Sequence, residues 1–289
     1  FPYTTLFRSI RKIIIEGQEF VNEIPLIKRP FFFEKNGNYV FVGIRQAGKS
    51  YLLYQRIQQL IEEGHSIEEM LYINFDDERL RQFTTHDFDL ILQAYASMFN
   101  LRPILFFDEI QNIEGWENFA RRLANQKYNV YITGSNAKML SREIATTLGG
   151  RYWNADVYPY SFFEYLKAKN ITLATNWMYG KQSAEVSKLF NDYFSFGGFP
   201  ELVDIIAKRA WLNDIYSKIF FSDLIVRNKI RNEEAMGLLV KRLAEGVKQP
   251  VSHTRLANLI STAGIKISKA TIIDFIKYLK ESCLLFPLE

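Results

Sequence analysis

Residues 43–50 read Gly43-Ile44-Arg45-Gln46-Ala47-Gly48-Lys49-Ser50, and every fixed position of the pattern G-x-x-x-x-G-K-[ST] is filled. The two glycines let the main chain curl so that successive N–H groups face one point. A helix starting there adds its positive N-terminal end. Such a loop cradles phosphates, and Gly43, Arg45, Gln46, Ala47, Gly48, Lys49, Ser50 and Tyr51 are its candidate residues. Lys49 is expected to set a point charge on the β- and γ-phosphates of a nucleotide, and Ser50 to offer its hydroxyl to a Mg²⁺ bridging them. A glycine-rich turn matching by chance is the alternative, and it loses on context: an apolar strand precedes the loop and a helix follows.

The same chemistry needs an apolar strand ending in a carboxylate, and Ile104-Leu105-Phe106-Phe107-Asp108-Glu109 supplies one. Asp108 is expected on the metal side, at the end of a strand neighbouring the loop. Glu109 is expected to orient and deprotonate an attacking water. An Asp-Glu pair is common where any strand ends, so it takes its meaning from the upstream loop. Residues 130–133 lead into Gly134-Ser135-Asn136. Ser135 or Asn136 senses phosphate or holds the water if that strand neighbours the Asp108 strand; otherwise the segment is a plain polar turn.

These residues need a frame. Apolar spacing predicts an amphipathic helix over 10–21, a strand over 38–42, a helix over 50–63 ended at Gly64, and a strand over 70–75. A helix over 87–99, the strand 104–107, a helix over 117–125 and a strand over 129–133 follow. This alternation implies an α/β fold, a parallel sheet covered by helices on both faces. Beyond Tyr158 the pattern turns mostly helical, broken by Gly197-Gly198-Phe199-Pro200, and reads as a helical lid. The tail reads as a short helix, a turn near Gly264, a helix over 268–281 and a final apolar strand. The expected domains are 1–28, an N-terminal helix and leader; 29–158, the P-loop core; 159–245, the lid; and 246–289, a tail domain.

The chain has 289 residues, 48% hydrophobic and 24% charged, enough for two or three domains with their own cores. Its aromatic content is 15%, with 24 Phe and 16 Tyr, which points to aromatic-rich packing. The single cysteine, Cys283, excludes an internal disulfide, and the three histidines lack ligand spacing. We therefore expect a reducing, cytoplasmic setting and no structural zinc. No apolar run reaches the roughly 18 residues of a membrane span, so no membrane partner is expected. The net charge of +4 is unevenly placed: residues 207–282 hold 14 Lys and Arg against 7 Asp and Glu. The chain lacks an initiator Met, residues 2–9 resemble a translated sequencing adapter and are set apart from the fold, and the whole reads as a fragment.

With those residues in place, the chain resembles prokaryotic AAA+ P-loop ATPases of an archaeal-type group related to signalling (STAND) ATPases, over residues 29–286. The resemblance rests on Asn74-Phe75-Asp76-Asp77, Asp108-Glu109-Ile110-Gln111 with Trp116-Glu117, Thr133-Gly134-Ser135, Gly150-Arg151, Pro159-Tyr160-Ser161-Phe162-Phe163-Glu164, Gly197-Gly198-Phe199-Pro200-Glu201 and residues 223–227. It implies a P-loop core, a helical lid carrying the Gly-Gly-Phe-Pro turn, a C-terminal winged helix, and ATP rather than GTP as nucleotide. It also implies a further C-terminal domain of unknown function, missing here. Carried over, Arg151 is the candidate arginine for a nucleotide phosphate, in this chain or a neighbouring subunit; a helix-capping or salt-bridging arginine is the other reading.

The two tail helices have helix-turn-helix spacing, and Lys269, Lys277 and Lys280 on the second could meet DNA phosphates. Packing of that domain on a protein partner or on another copy, with solvated lysines, is the alternative. The leading expectation is Mg-dependent ATP binding and hydrolysis that drives a conformational switch. A DNA-binding regulator or scaffold holding ATP with negligible turnover is the second. A small-substrate kinase is weakest, because no substrate-pocket motif accompanies the loop.

Overall fold

The computed structural model describes residues 2–135, 139, 142–247 and 249–286. It divides into two compact units, Phe1–Ile206 and Ala207–Glu289. The first holds α1 (Pro2–Glu23), β1 (Tyr39–Val42), α2 (Lys49–Glu62), β2 (Met70–Asn74), α3 (Phe88–Ala96), β3 (Ile104–Asp108), α4 (Trp116–Asn125), β4 (Val130–Gly134), α5 (Arg142–Leu148), β5 (Trp153–Asp156), α6 (Phe162–Ala168) and α7 (Gln182–Phe196). The five strands form one sheet in the order β2-β3-β4-β1-β5, every pair parallel.

Each central strand is buried on both faces, which is why it reads as an unbroken apolar run. Side chains alternate between the faces. Val40, Val42, Leu71, Ile73, Leu105, Phe107, Val130 and Ile132 pack with Ile10 and Ile14 of α1 and with α3 and α4. Tyr39, Phe41, Met70, Tyr72, Ile104, Phe106 and Tyr131 pack with Leu53 and Ile57 of α2. On this second face Phe106, Tyr131 and Tyr39 are cross-strand partners. Their rings lie nearly parallel, with centroids 4.9 Å and 5.8 Å apart. Full burial of a side chain such as Phe106 contributes about 2–3 kcal/mol, and each offset ring pair adds about 1 kcal/mol. Part of the aromatic content is thus a ladder that holds β3, β4 and β1 in register.

Several expectations change. The strand of Asp108 does not neighbour the loop strand, because β4 lies between β3 and β1. Helix α1 begins at Pro2, and Leu6 and Phe7, within the stretch set apart, pack against the first core. Strand β5 was not foreseen: as an edge strand it exposes Trp153, Asn154 and Asp156 and carries no apolar run. The chain divides between Ile206 and Ala207, inside the stretch expected to be one lid. The physical reason is a change of core. Tyr160, Tyr165 and Val203 pack together within the first unit, whereas Phe220, Leu224, Met236 and Leu239 share a core with Leu256, Ile260, Ile272, Phe275 and Leu279 in the second.

The second unit comprises α8 (Lys208–Lys218), a π-helical segment (Ile219–Val226), α9 (Glu233–Glu245), α10 (His253–Thr262) and α11 (Lys269–Glu281). Gly264, at φ 89°, makes the turn between the last two helices. The expected apolar strand after α11 does not form among the described residues. Cys283 takes φ 57°, and the amides of Leu284 and Leu285 bond back to the Leu279 carbonyl. No described strand therefore supplies the wing of a winged helix.

One polar strap ties the region before β1 to the end of the sheet. Arg29 donates from Nε to Glu164 Oε1 at 2.7 Å, from Nη1 to the Ala47 carbonyl at 3.1 Å and from Nη2 to the Tyr158 carbonyl at 2.9 Å. Glu164 also closes the capping box of α6 with Ser161. Burial pushes the Glu164 carboxyl up, but the bonds from Arg29 and Ser161 outweigh it, and the group stands below its ordinary value. Glu164→Gln keeps the volume and removes the charge, and we expect it to cost about 3 kcal/mol at neutral pH, read by urea unfolding. A depressed carboxylate stabilises the fold above its unfolded pKa and ceases to as pH falls through the folded value. The gap between variant and wild type should therefore close in acid; a gap undiminished near about pH 2 would place the loss elsewhere.

Candidate functional site

Because all strands run parallel, the residues after β1, β3 and β4 emerge at one edge of the sheet, where helices following the strands begin. The loop of residues 43–48 links β1 to α2, which starts at Lys49. A Cβ on Gly43 would lie 2.0 Å from the Val157 carbonyl oxygen, so close backbone passage past the end of β5 demands glycine there. Gly48 has φ 93°, and Gln46, a residue with a side chain, also turns left-handed at φ 60°. Arg45 is half-buried, Gln46 and Tyr51 are exposed, and Ala47 is buried. Lys49, only 4% exposed, donates from Nζ to the carbonyls of Gly43 and Ile44, each at 3.1 Å.

The acidic pair meets this loop. Lys49 Nζ lies 3.7 Å from Glu109 Oε1, and the Ser50 side chain stands beside Asp108, where it lowers the pKa of that carboxyl. Asp108 is buried at 1% exposure. Its Oδ1 accepts from Thr133 Oγ1 of β4, and its Oδ2 accepts from the Tyr72 hydroxyl of β2 at 2.9 Å. Burial, then the neighbouring Glu109 charge, raise its carboxyl above the usual value, and the bonds from Thr133, Ser50 and Tyr72 partly offset this. The Tyr72 hydroxyl lies 3.0 Å from that of Tyr54. Burial and then the Asp108 charge push Tyr54 up to about 12 and Tyr72 well above its normal value, so both phenols stay protonated and able to donate.

Glu109 takes the left-handed conformation at φ 51°, and its amide donates to Thr133 Oγ1 at 3.0 Å. Gln111 Nε2 donates to Glu109 Oε2 and, at 3.4 Å, to Ser135 Oγ. Ser135 is buried beside the acidic pair, as the adjacency of β3 and β4 requires. Asn136 lies outside the described residues. Arg151 is not brought to this cluster. It precedes β5 at the opposite edge of the sheet, its carbonyl accepts from Asn38, and its exposed side chain donates to the Gly149 carbonyl at 3.2 Å. Lys269, Lys277 and Lys280 are exposed on α11 in the second unit.

Tyr72, Thr133, Gln111 and Arg29 were not singled out for roles from the sequence. Thr133 and Gln111 sat inside quoted motifs and could have been found by asking what bonds a buried carboxylate. Tyr72 and Arg29 carried no signal, since each depends on which strand or segment lies beside it. Beyond the loop lies a 400 Å³ cavity lined by Arg29, Phe31, Leu52, Asp156, Tyr158 and Tyr160, among others.

Residues 35–166, which contain the loop and the acidic pair, match a family model described as AAA domain. A second model, a domain of unknown function (DUF8612), matches residues 187–289, beginning within α7 and running through the second unit. Relatives of the whole chain include an uncharacterised protein of Methanocaldococcus jannaschii, 33% identical over 96% of this chain and 62% of its own length. Another, from Haemophilus influenzae, is 30% identical over 95% of this chain and 66% of its own length. The chain therefore spans somewhat under two thirds of these relatives.

Among solved structures, Aeropyrum pernix Orc1 in complex with DNA aligns over 96% of this chain and 82% of that one, at 14% identity and a TM-score of 0.36. AMPPCP-bound DnaA from Aquifex aeolicus aligns over 93% and 86%, at 13% identity and a TM-score of 0.39. Among the described residues, no helix is long and apolar enough to cross a membrane.

The loop of residues 43–48 makes a steric demand that can be tested. Gly43→Ala should destabilise the chain by about 2–3 kcal/mol, because the added methyl meets main chain that cannot swing aside. Urea unfolding measures this, and an unchanged midpoint would show that the β5 end yields.

Proposed function

We propose that the chain binds ATP with Mg²⁺ at residues 43–50 and hydrolyses it, with Asp108 on the metal side and Glu109 as general base. One observation carries the reading: Lys49 Nζ stands 3.7 Å from Glu109 Oε1 while Ser50 lies beside Asp108, so segments some sixty residues apart form one cluster. Among the described residues no group of three or more His, Cys, Asp or Glu side chains is arranged to hold a metal by itself. A hydroxyl and one carboxylate suit a hard ion that takes its other ligands from phosphates and water. Ser50 and Asp108 would hold Mg²⁺, which would offset the negative charge of the phosphates.

In this mechanism the main-chain amides of residues 43–50 and the Lys49 ammonium hold the triphosphate. The Glu109 carboxylate takes one proton from a water whose oxygen bonds to the γ-phosphorus, while the bond from that phosphorus to the β–γ bridging oxygen breaks and ADP leaves with the electron pair. In this reading Ser135 meets the γ-phosphate, and Asn136 follows it in sequence. The 400 Å³ cavity supports a base site beside the loop, and adenine is our reading of its occupant. Arg151, at the far edge of the sheet, serves in this proposal only a phosphate of a neighbouring copy. The Gly-Gly-Phe-Pro turn supports placement in the archaeal, STAND-related group: Gly197 takes φ 80°, and a Cβ on Gly198 would lie 2.0 Å from the Tyr160 carbonyl oxygen. Hydrolysis in such a chain serves conformation.

Lys49→Ala should abolish binding of a fluorescent ATP analogue, whereas Glu109→Gln should bind normally and lose about 100-fold or more in phosphate release. Wild-type turnover by the Lys49→Ala protein would remove the assignment.

A second reading, contact with DNA, is favoured by the lysine face of α11. Lys269, Lys277 and Lys280 fall on one side of the helix with Ile273 between them, 44% exposed. Replacing all three lysines by Ala should weaken duplex binding and lower the log–log salt slope by about 3 in gel-shift titrations. Unaltered binding would end this reading.

A further inference from the structure

Gln111 has no part in the reaction as described, yet it sits at the centre of its polar groups. It lies in the short turn Ile110–Asn112 that follows Glu109, and Ile110, fully buried, anchors that turn. Its Nε2 bonds both the Glu109 carboxylate and the Ser135 hydroxyl. Its Oε1 is buried with no hydrogen-bond partner among the described residues. The amide orientation is fixed by chemistry, since turning it over would set Oε1 against the Glu109 carboxylate. Space for it depends on Gly134: a Cβ there would come within 2.5 Å of Oε1. A buried acceptor without a donor costs stability, and a residue kept only for packing has no need of one.

We propose that Gln111 is a positioning residue for hydrolysis, whose side-chain amide N–H group holds the Glu109 carboxylate against Ser135. This rests on the reading that Glu109 is the general base. Glu109 has two tethers, the Lys49 ammonium at 3.7 Å and the Gln111 amide. An incoming β- or γ-phosphate draws on that same ammonium, so the Gln111 bond keeps the base in place while Lys49 serves the phosphates. When the water attacks, one proton passes to Glu109, and the other stays on the new phosphate hydroxyl. Ser135, joined to the same amide, couples this arrangement to the end of β4.

The test compares wild type, Gln111→Leu and Gln111→Asn for steady-state phosphate release and for equilibrium binding of a fluorescent ATP analogue with Mg²⁺. Gln111→Leu keeps the volume and loses both polar atoms. It should bind within about twofold of wild type and lose about 10- to 100-fold in kcat, the usual scale for a misplaced catalytic group. Gln111→Asn keeps the amide but withdraws it by one methylene, and should fall at least about fivefold in kcat at unchanged affinity; it decides the matter if the leucine variant does not fold. Unchanged kcat in the folded variant, or a loss confined to affinity, would overturn the proposal. Wild-type protein that binds the analogue but releases no phosphate would refute the hydrolysis reading itself, a failure distinct because it appears before any substitution.

Discussion

Burying a carboxylate is the constraint around which the first unit is arranged. Asp108 is almost wholly withdrawn from water, and an ionised acid in that position is tolerable only if its oxygens are paired. Pairing draws on two neighbouring strands, Tyr72 from β2 and Thr133 from β4, with Ser50 at the start of α2 beside them. The strand order β2-β3-β4-β1 is what puts a donor on each side of Asp108, and the aromatic ladder Phe106–Tyr131–Tyr39 keeps those strands in register. A dry hydrophobic sheet therefore ends in a dense polar cluster. The low dielectric behind that cluster strengthens every charge interaction within it.

A second layer holds the loop from outside. Arg29 bonds the Ala47 carbonyl within the loop, the Tyr158 carbonyl beyond β5 and the Glu164 carboxylate at the head of α6. Its guanidinium also lies 5.4 Å from the centre of the Tyr160 ring. The motif Pro159-Tyr160-Ser161-Phe162-Phe163-Glu164 thus has a structural account: it caps a helix and receives the strap that runs past the loop of residues 43–48. Tyr160 also bonds the Gly-Gly-Phe-Pro turn, its amide donating to the Gly198 carbonyl at 2.6 Å. Loop, strap and turn form one connected network within the first unit.

The second unit is built on different physics. Its core is helical and mainly aliphatic, with Leu224, Met236, Leu239, Ile260 and Ile272 fully buried beside Phe220 and Phe275. The basic surplus of the chain lies here, on helices whose lysines point to solvent. Within it, the π-helical segment buries Asp223 against Arg227 at 2.8 Å, an ion pair that accounts for two residues of the motif at 223–227.

Local residue order was enough to reveal the loop of residues 43–50, the strand ending in Asp108-Glu109, the alternation that makes a parallel sheet and the paired tail helices. In each case the signal is short-range: a spacing, a periodicity or a strand followed by its charged end. Which strands lie side by side is a long-range outcome, and only packing decided it. Hence β4 separates β1 from β3, β5 forms without an apolar run, and the expected lid divides at Ile206. The roles open to Tyr72, Thr133, Gln111 and Arg29, and the distance of Arg151 from the loop, follow from that packing. A buried carboxylate takes whichever donors the tertiary fold brings within reach, and their places in the chain follow no fixed spacing.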